Sequence, residues 1–182
     1  MSIVLIGSTS GSITLQEPAV SGSTVLTLPA VTGTVLTTTS PKAGNVLQVA
    51  SQTFQGTQFS TSSNSMVATG FGVSITPSSS TSKILISVST SLSWGGSGMG
   101  IAIYRGTTLV WNPSTGDGAG FYGAIFSSHL ISTIQYLDTP PAGSSFTYNL
   151  YTASRSSTTS YVNLSSSPNS GGTTITLMEI AA

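Results

Sequence analysis

Between Lys83 and Leu92 the chain alternates apolar and hydroxylic side chains with a period of two. Ile84, Ile86, Val88 and Leu92 fall on one side of an extended strand, and Ser87, Ser89 and Ser91 on the other. Successive side chains of a strand point to opposite faces, so the run predicts an apolar face turned inward and a hydroxylic one turned outward. The same texture predicts strands near 46–51, 53–59, 66–70, 71–76, 99–105, 107–111, 121–126, 130–137, 145–151, 161–164 and 173–180. Turn formers separate them, as in Pro77-Ser78-Ser79-Ser80, Trp94-Gly95-Gly96-Ser97-Gly98 and Thr139-Pro140-Pro141-Ala142-Gly143. No window carries the 3.6-residue apolar spacing of an amphipathic helix. Many short strands at this spacing predict an all-β head over residues 44–182, an antiparallel jelly-roll sandwich.

Residues 1–43 have another pattern, a repeat of 11 residues. Gly11-Ser12-Ile13-Thr14-Leu15-Gln16-Glu17-Pro18-Ala19-Val20-Ser21 is followed by Gly22-Ser23-Thr24-Val25-Leu26-Thr27-Leu28-Pro29-Ala30-Val31-Thr32. Gly, Ser, Leu, Pro, Ala and Val recur at the same offsets. Each unit reads as a short strand closed by a turn, because proline cannot donate to a ladder and glycine permits positive φ. A unit this small cannot bury a face alone, and such repeats need stacking neighbours. Other copies of the chain would supply them. The apolar residues Ile3, Val4, Leu5, Ile6, Leu15, Leu26 and Leu28 are therefore the candidate anchoring residues of an N-terminal docking arm.

Composition narrows the function. Only 4% of the 182 residues are charged and the formal net charge is zero, while 36 serines and 28 threonines supply a hydroxylic surface. The cations Lys42, Lys83, Arg105 and Arg155 form no basic run, so the chain lacks the clustered charge of a nucleic-acid partner or of an anionic membrane surface. Ile3-Val4-Leu5-Ile6 is far too short to span a bilayer. There is no cysteine, so the fold is held without disulfides.

Candidate chemistry is sparse, and the expectation is a chain that is not an enzyme and takes no metal or cofactor. The lone histidine, His129, has only Glu17, Asp117, Asp138 and Glu179 from which to draw a carboxylate partner, and no Gly-x-Ser-x-Gly elbow frames a serine. Metal sites need clustered ligands, and these carboxylates are scattered in sequence. The glycines after Trp94 lack the lysine and helix of a phosphate cradle and read as turns. Aromatics gather between residues 94 and 126. Trp94, Trp111 and Tyr122, with Asn112 and Asp117 beside them, are the candidate glycan-binding loop residues; the competing reading is core and subunit packing.

The leader Gly7-Ser8-Thr9-Ser10-Gly11-Ser12-Ile13-Thr14-Leu15, continuing through Leu28-Pro29-Ala30-Val31-Thr32-Gly33-Thr34-Val35-Leu36, resembles repeats in fibre and virion proteins of tailed phages. Gly44-Asn45-Val46-Leu47-Gln48-Val49 resembles the joint before their C-terminal heads. Ile75-Thr76-Pro77-Ser78-Ser79, Ser82-Lys83-Ile84-Leu85-Ile86, Ile134-Gln135-Tyr136-Leu137-Asp138-Thr139-Pro140 and Ile175-Thr176-Leu177-Met178-Glu179-Ile180 resemble the heads themselves. The resemblance implies a homotrimer with jelly-roll heads of the tumour-necrosis-factor kind, located on the virion surface and docked on the major capsid protein or another virion protein. Tail fibres of this sort usually carry a long N-terminal docking region. The short arm here instead suits a capsid decoration or cement protein, or a head fibre. The alternative is a tail fibre or tail tip that recognises host-surface glycans.

Overall fold

A computed structural model describes residues 2–6, 9–16, 22, 30, 41–95, 98–113, 121–122, 128–141, 144–155, 157–163 and 172–182. Backbone contacts divide the chain into two units, Met1–Val35 and Leu36–Ala182.

In the first unit β1 (Ser2–Ile6) and β2 (Ser12–Gln16) form a two-stranded antiparallel hairpin. Its register sets Ile3 opposite Leu15 and Leu5 opposite Ile13. The second copy of the 11-residue repeat, with Leu26 and Leu28, lies outside the described residues.

The second unit is an all-β sandwich of two antiparallel sheets, with no helix among the described residues. Its strands are β3 (Val46–Gln55), β4 (Phe59–Thr61), β5 (Val67–Ile75), β6 (Lys83–Trp94), β7 (Met99–Arg105), β8 (Thr108–Trp111), β9 (Phe121–Tyr122), β10 (Ser128–Asp138), β11 (Phe146–Ser154), β12 (Ser160–Val162) and β13 (Gly172–Ile180). One sheet is built around β6. β10 runs along one flank of β6; β13 and then β12 line the other, backed by β3 and β4. The second sheet runs β5-β11-β7-β8, with β9 also paired to β7.

The inward positions of both sheets form one core. Phe71, Val73 and Ile75 of β5, Ile101 and Ile103 of β7, and Tyr148 and Leu150 of β11 meet Ile84, Ile86, Val88, Leu92, Ile134, Ile175 and Leu177 of the first sheet. Fully burying one such aliphatic side chain contributes about 1.5–3 kcal/mol. The alternation of β6 is as the sequence predicts: Ile84, Ile86, Val88 and Leu92 are buried, while Ser89 is exposed and Ser87 and Ser91 half-buried.

Two boundaries differ from the sequence reading. Residues 66–70 and 71–76, expected as two strands, are joined in the single strand β5, Val67–Ile75. Gly70 at φ +80° and a register shift opposite Asn149 and Tyr151 mark a bulge there, with Thr69 Oγ1 donating to Leu150 O at 2.8 Å. A bulge interrupts alternation without ending a strand. β3 likewise runs unbroken through Ser51 and Gln52 and ends before Gly56, whose φ of +70° makes the turn into β4. Predicted strand 121–126 is described only for Phe121 and Tyr122, and Leu164 of predicted strand 161–164 lies outside the described residues.

Candidate functional site

Among the described residues of the arm, the hairpin β1–β2 carries exposed apolar side chains. Val4 and Leu5 are each 54% exposed, Ile6 84% and Ile13 65%. Leu5 and Ile13 stand directly opposite each other, so at least one cross-strand apolar pair faces outward. A lone two-stranded hairpin is marginal in water and needs a third strand or a packing surface. Strand alternation sets Leu5 and Ile13 on one face of the hairpin and Val4 and Ile6 on the other, so apolar groups are exposed on both. Ile3 and Leu15, two further candidate anchors, occupy paired backbone positions in the same ladder.

The aromatic candidates separate. Trp94 ends β6 opposite Ser128 and Ser160 and is only 3% exposed, a member of the core. Its ring is not a platform for a sugar, which corrects the sequence expectation for this residue. Gly95 and Gly98 are tied to the β11–β12 connection: Gly95 N donates to Thr159 O at 3.2 Å and Arg155 N to Gly98 O at 3.1 Å. Trp111 is half-buried against the core at the end of β8, opposite Ile103, and Asn112 is half-buried after it. Tyr122 is placed by its backbone opposite Met99. Asp117 lies outside the described residues, so the five candidates are not brought together as one described site. His129 lies on β10 opposite Ser93.

Two of the four carboxylates, scattered in the sequence, flank the same residue. Register sets Asp138 on one side of Ile84 and Glu179 on the other, both inward and buried. Asp138 pairs with Arg105 and accepts a hydrogen bond from Tyr148 Oη at 2.8 Å. Burial pushes the Tyr148 hydroxyl well above the ordinary tyrosine range, and the Asp138 charge adds to that. Arg105 also sits 5.5 Å over the Phe146 ring. Glu179 accepts from Gln48 Nε2 at 2.5 Å and from Ser78 N and Oγ at 2.8 Å each. The sequence does hold a signal for this: both carboxylates keep the inward parity of Ile134 and of Ile175 and Leu177. These groups close one end of the sandwich by hydrogen bonding. Among the described residues no three His, Cys, Asp or Glu side chains gather as metal ligands.

No family model and no curated protein matches the chain. Among solved structures, a chain in the crystal structure of the T13 IBDV viral particle aligns over 94% of this chain at 15% identity, with a TM-score of 0.37. A chain in the structure of the infectious bursal disease virus Gt strain aligns over the same share at 15% identity, with a TM-score of 0.16. This chain spans 42% and 47% of their respective lengths. Likeness at that level leaves function to the residues themselves.

Proposed function

We propose that the chain is a structural protein of a phage particle: a homotrimeric capsid decoration or cement protein, or a head fibre, held on the virion surface by its N-terminal segment. The observation that carries this reading is the β1–β2 hairpin, which displays Val4, Leu5, Ile6 and Ile13 on a unit distinct from the head. An uncharged apolar hairpin is a docking element for another protein, by apolar contact and strand pairing. The tailed-phage resemblance of both the leader and the head segments supports the particle as its setting. Burial of Trp94 removes one of the aromatic groups on which the glycan-binding alternative rested.

The deciding experiment measures heat stability and host adsorption on the same particles lacking this protein. A cement role gives shells that break at lower temperature yet still adsorb. Intact shells with abolished adsorption would overturn it in favour of the tail-fibre reading.

A further inference from the structure

On the outer face of the second sheet, register gathers residues that are far apart in the chain. Tyr148 and Leu150 of β11 and Ile101 and Ile103 of β7 point into the core, so their neighbours Asn149, Tyr151, Ala102 and Tyr104 point out. Tyr104 stands opposite Asn149, and Tyr151 opposite Ala102, whose small side chain leaves room above it. The two tyrosine rings meet with centroids 4.1 Å apart and planes tilted by 32°. Both residues are half-buried, so part of the pair is open to water. Leu109 of β8, opposite Tyr104 and 44% exposed, extends the apolar ledge.

Asn149 completes the patch. Its neighbour on the other side is Gly72 of β5, where an added Cβ would lie 2.2 Å from Asn149 Oδ1. The Asn149 carboxamide thus occupies the space that a side chain at position 72 would fill. No residue among those described hydrogen-bonds to this carboxamide or to the hydroxyls of Tyr104 and Tyr151. By contrast, Tyr148 Oη on the inner face donates to Asp138 at 2.8 Å, and the Ser74 and Thr147 hydroxyls at the margin of the patch pair at 2.7 Å. Outward positions 72, 74, 102, 104, 109, 147, 149 and 151 hold no Asp, Glu, Lys, Arg or His. Of the charged residues beside them in sequence, Arg105 turns inward to Asp138 and Arg155 follows the end of β11.

We propose that Tyr104, Tyr151 and Asn149 form a binding site for a neutral saccharide. The chemistry of the three side chains selects this ligand. An aromatic surface receives the C–H face of a pyranose ring. A carboxamide supplies both donors and an acceptor, which match a neighbouring pair of sugar hydroxyls, and the phenolic hydroxyls reach others. Apolar surface joined to a few placed polar groups is the usual make-up of a small-ligand site. A proline-rich peptide would also stack on tyrosine, but proline has no N–H and would leave the Asn149 oxygen unmatched. An acidic sugar would find no cation among these positions. The site is separate from the loop that the sequence singled out around Trp94, because it is built on strands β5, β7 and β11. It also stands apart from the virion reading: the purified chain tests it, and its failure would leave that reading untouched.

The test is a glycan array of neutral and acidic oligosaccharides with a polyproline peptide beside them. The purified chain is expected to retain neutral glycans and neither of the others. Calorimetry with the best-retained neutral glycan should show Tyr151→Ala and Asn149→Ala each weakening binding by about tenfold, the loss of one good contact. Gly72→Ala, whose methyl displaces Asn149 Oδ1, should weaken it as well, and Thr53→Ala on the other sheet should not. Thermal melts establish that each variant is folded. Should Tyr151→Ala unfold, Tyr151→Phe, which removes only the hydroxyl, decides in its place. Retention of acidic glycans alone, of polyproline alone or of nothing would overturn the inference. Neutral-glycan binding that the Tyr151 and Asn149 variants leave unchanged would overturn it too.

Discussion

Arg105 on β7 and Asp138 on β10 form an ion pair that joins the two sheets, with the Tyr148 hydroxyl of β11 donating to the same carboxylate oxygen. The side chains of the pair are 16% and 9% exposed, so each charge depends on the other for what water no longer supplies. Removing one partner of such a pair costs more than the pair itself contributes, because the remaining charge stays buried.

Arg105→Ala is therefore expected to destabilise the head by about 3–5 kcal/mol. Tyr148→Phe removes one hydrogen bond to a charged acceptor and should cost about 1.5–3 kcal/mol. Denaturant midpoints of the purified variants measure both. A Tyr148→Phe midpoint below that of Arg105→Ala would show that the hydroxyl, not the ion pair, is the main tie.

Val88 and Ser89 are neighbours in sequence on opposite faces of β6, 1% exposed and exposed respectively. Val88→Asp places an unpaired carboxylate in the core at a cost of several kcal/mol and is expected to prevent folding. Ser89→Asp should express solubly with a wild-type circular dichroism spectrum. Indistinguishable solubility and spectra for the two variants would contradict the inward and outward assignment of β6.

Burial opposes the charge on Glu179, but hydrogen bonds from Gln48 and Ser78 outweigh it and hold the carboxyl below its ordinary 4.5. A carboxylate depressed in the folded state stabilises the fold above its ordinary pKa, and that contribution disappears as pH falls through the folded value. Wild-type stability should thus decline below about pH 4.5, and Glu179→Gln, with no proton to take up there, should decline less steeply. Urea midpoints near neutrality and at about pH 3 give the two slopes; parallel slopes would mean that other carboxylates govern acid unfolding.

A chain beginning at Lys42 keeps the whole head core and is expected to fold, yet to lose attachment to particles. Gly44 N donates to Ala181 O at 2.8 Å and Ala181 N to Asn45 O at 2.9 Å, so the head's first strand is tied in from that point. Residues 1–40 carry one charge, Glu17, so attachment of the full chain should barely respond to salt. Binding assays on particles stripped of the protein, over a salt series, test both statements. Undiminished binding by the shortened chain would place the docking surface on the head.

Much of the head is legible in the sequence because period-2 alternation is a direct readout of which face is buried. Lys83–Trp94 and Gly172–Ile180 are plain cases. The signal fails where backbone geometry, not side-chain type, makes the feature. Nothing in the polarity of residues 66–76 distinguishes the Gly70 bulge from a turn. Trp94 misleads for the opposite reason: glycines beside a tryptophan suggest an exposed side chain, but Trp94 is packed in the core, and Gly95 and Gly98 are hydrogen-bonded to Thr159 and Arg155. The pairing of Asp138 with Arg105 joins positions 33 residues apart and depends on how the two sheets face each other, which spacing cannot give.

The antiparallel pairing of β3 with β13 has a mechanical consequence. A load applied at Gly44, at one end of β3, and directed along the strand axis acts on this ladder. With the reaction carried by the body of the sandwich, β3 is pulled lengthwise against β13, and the hydrogen bonds of that ladder share the force in shear. The same force applied between Gly44 and Ala181, which meet at one end of the ladder, would peel the strands apart one bond at a time. The ladder thus resists tension directed along β3 and yields to tension between Gly44 and Ala181.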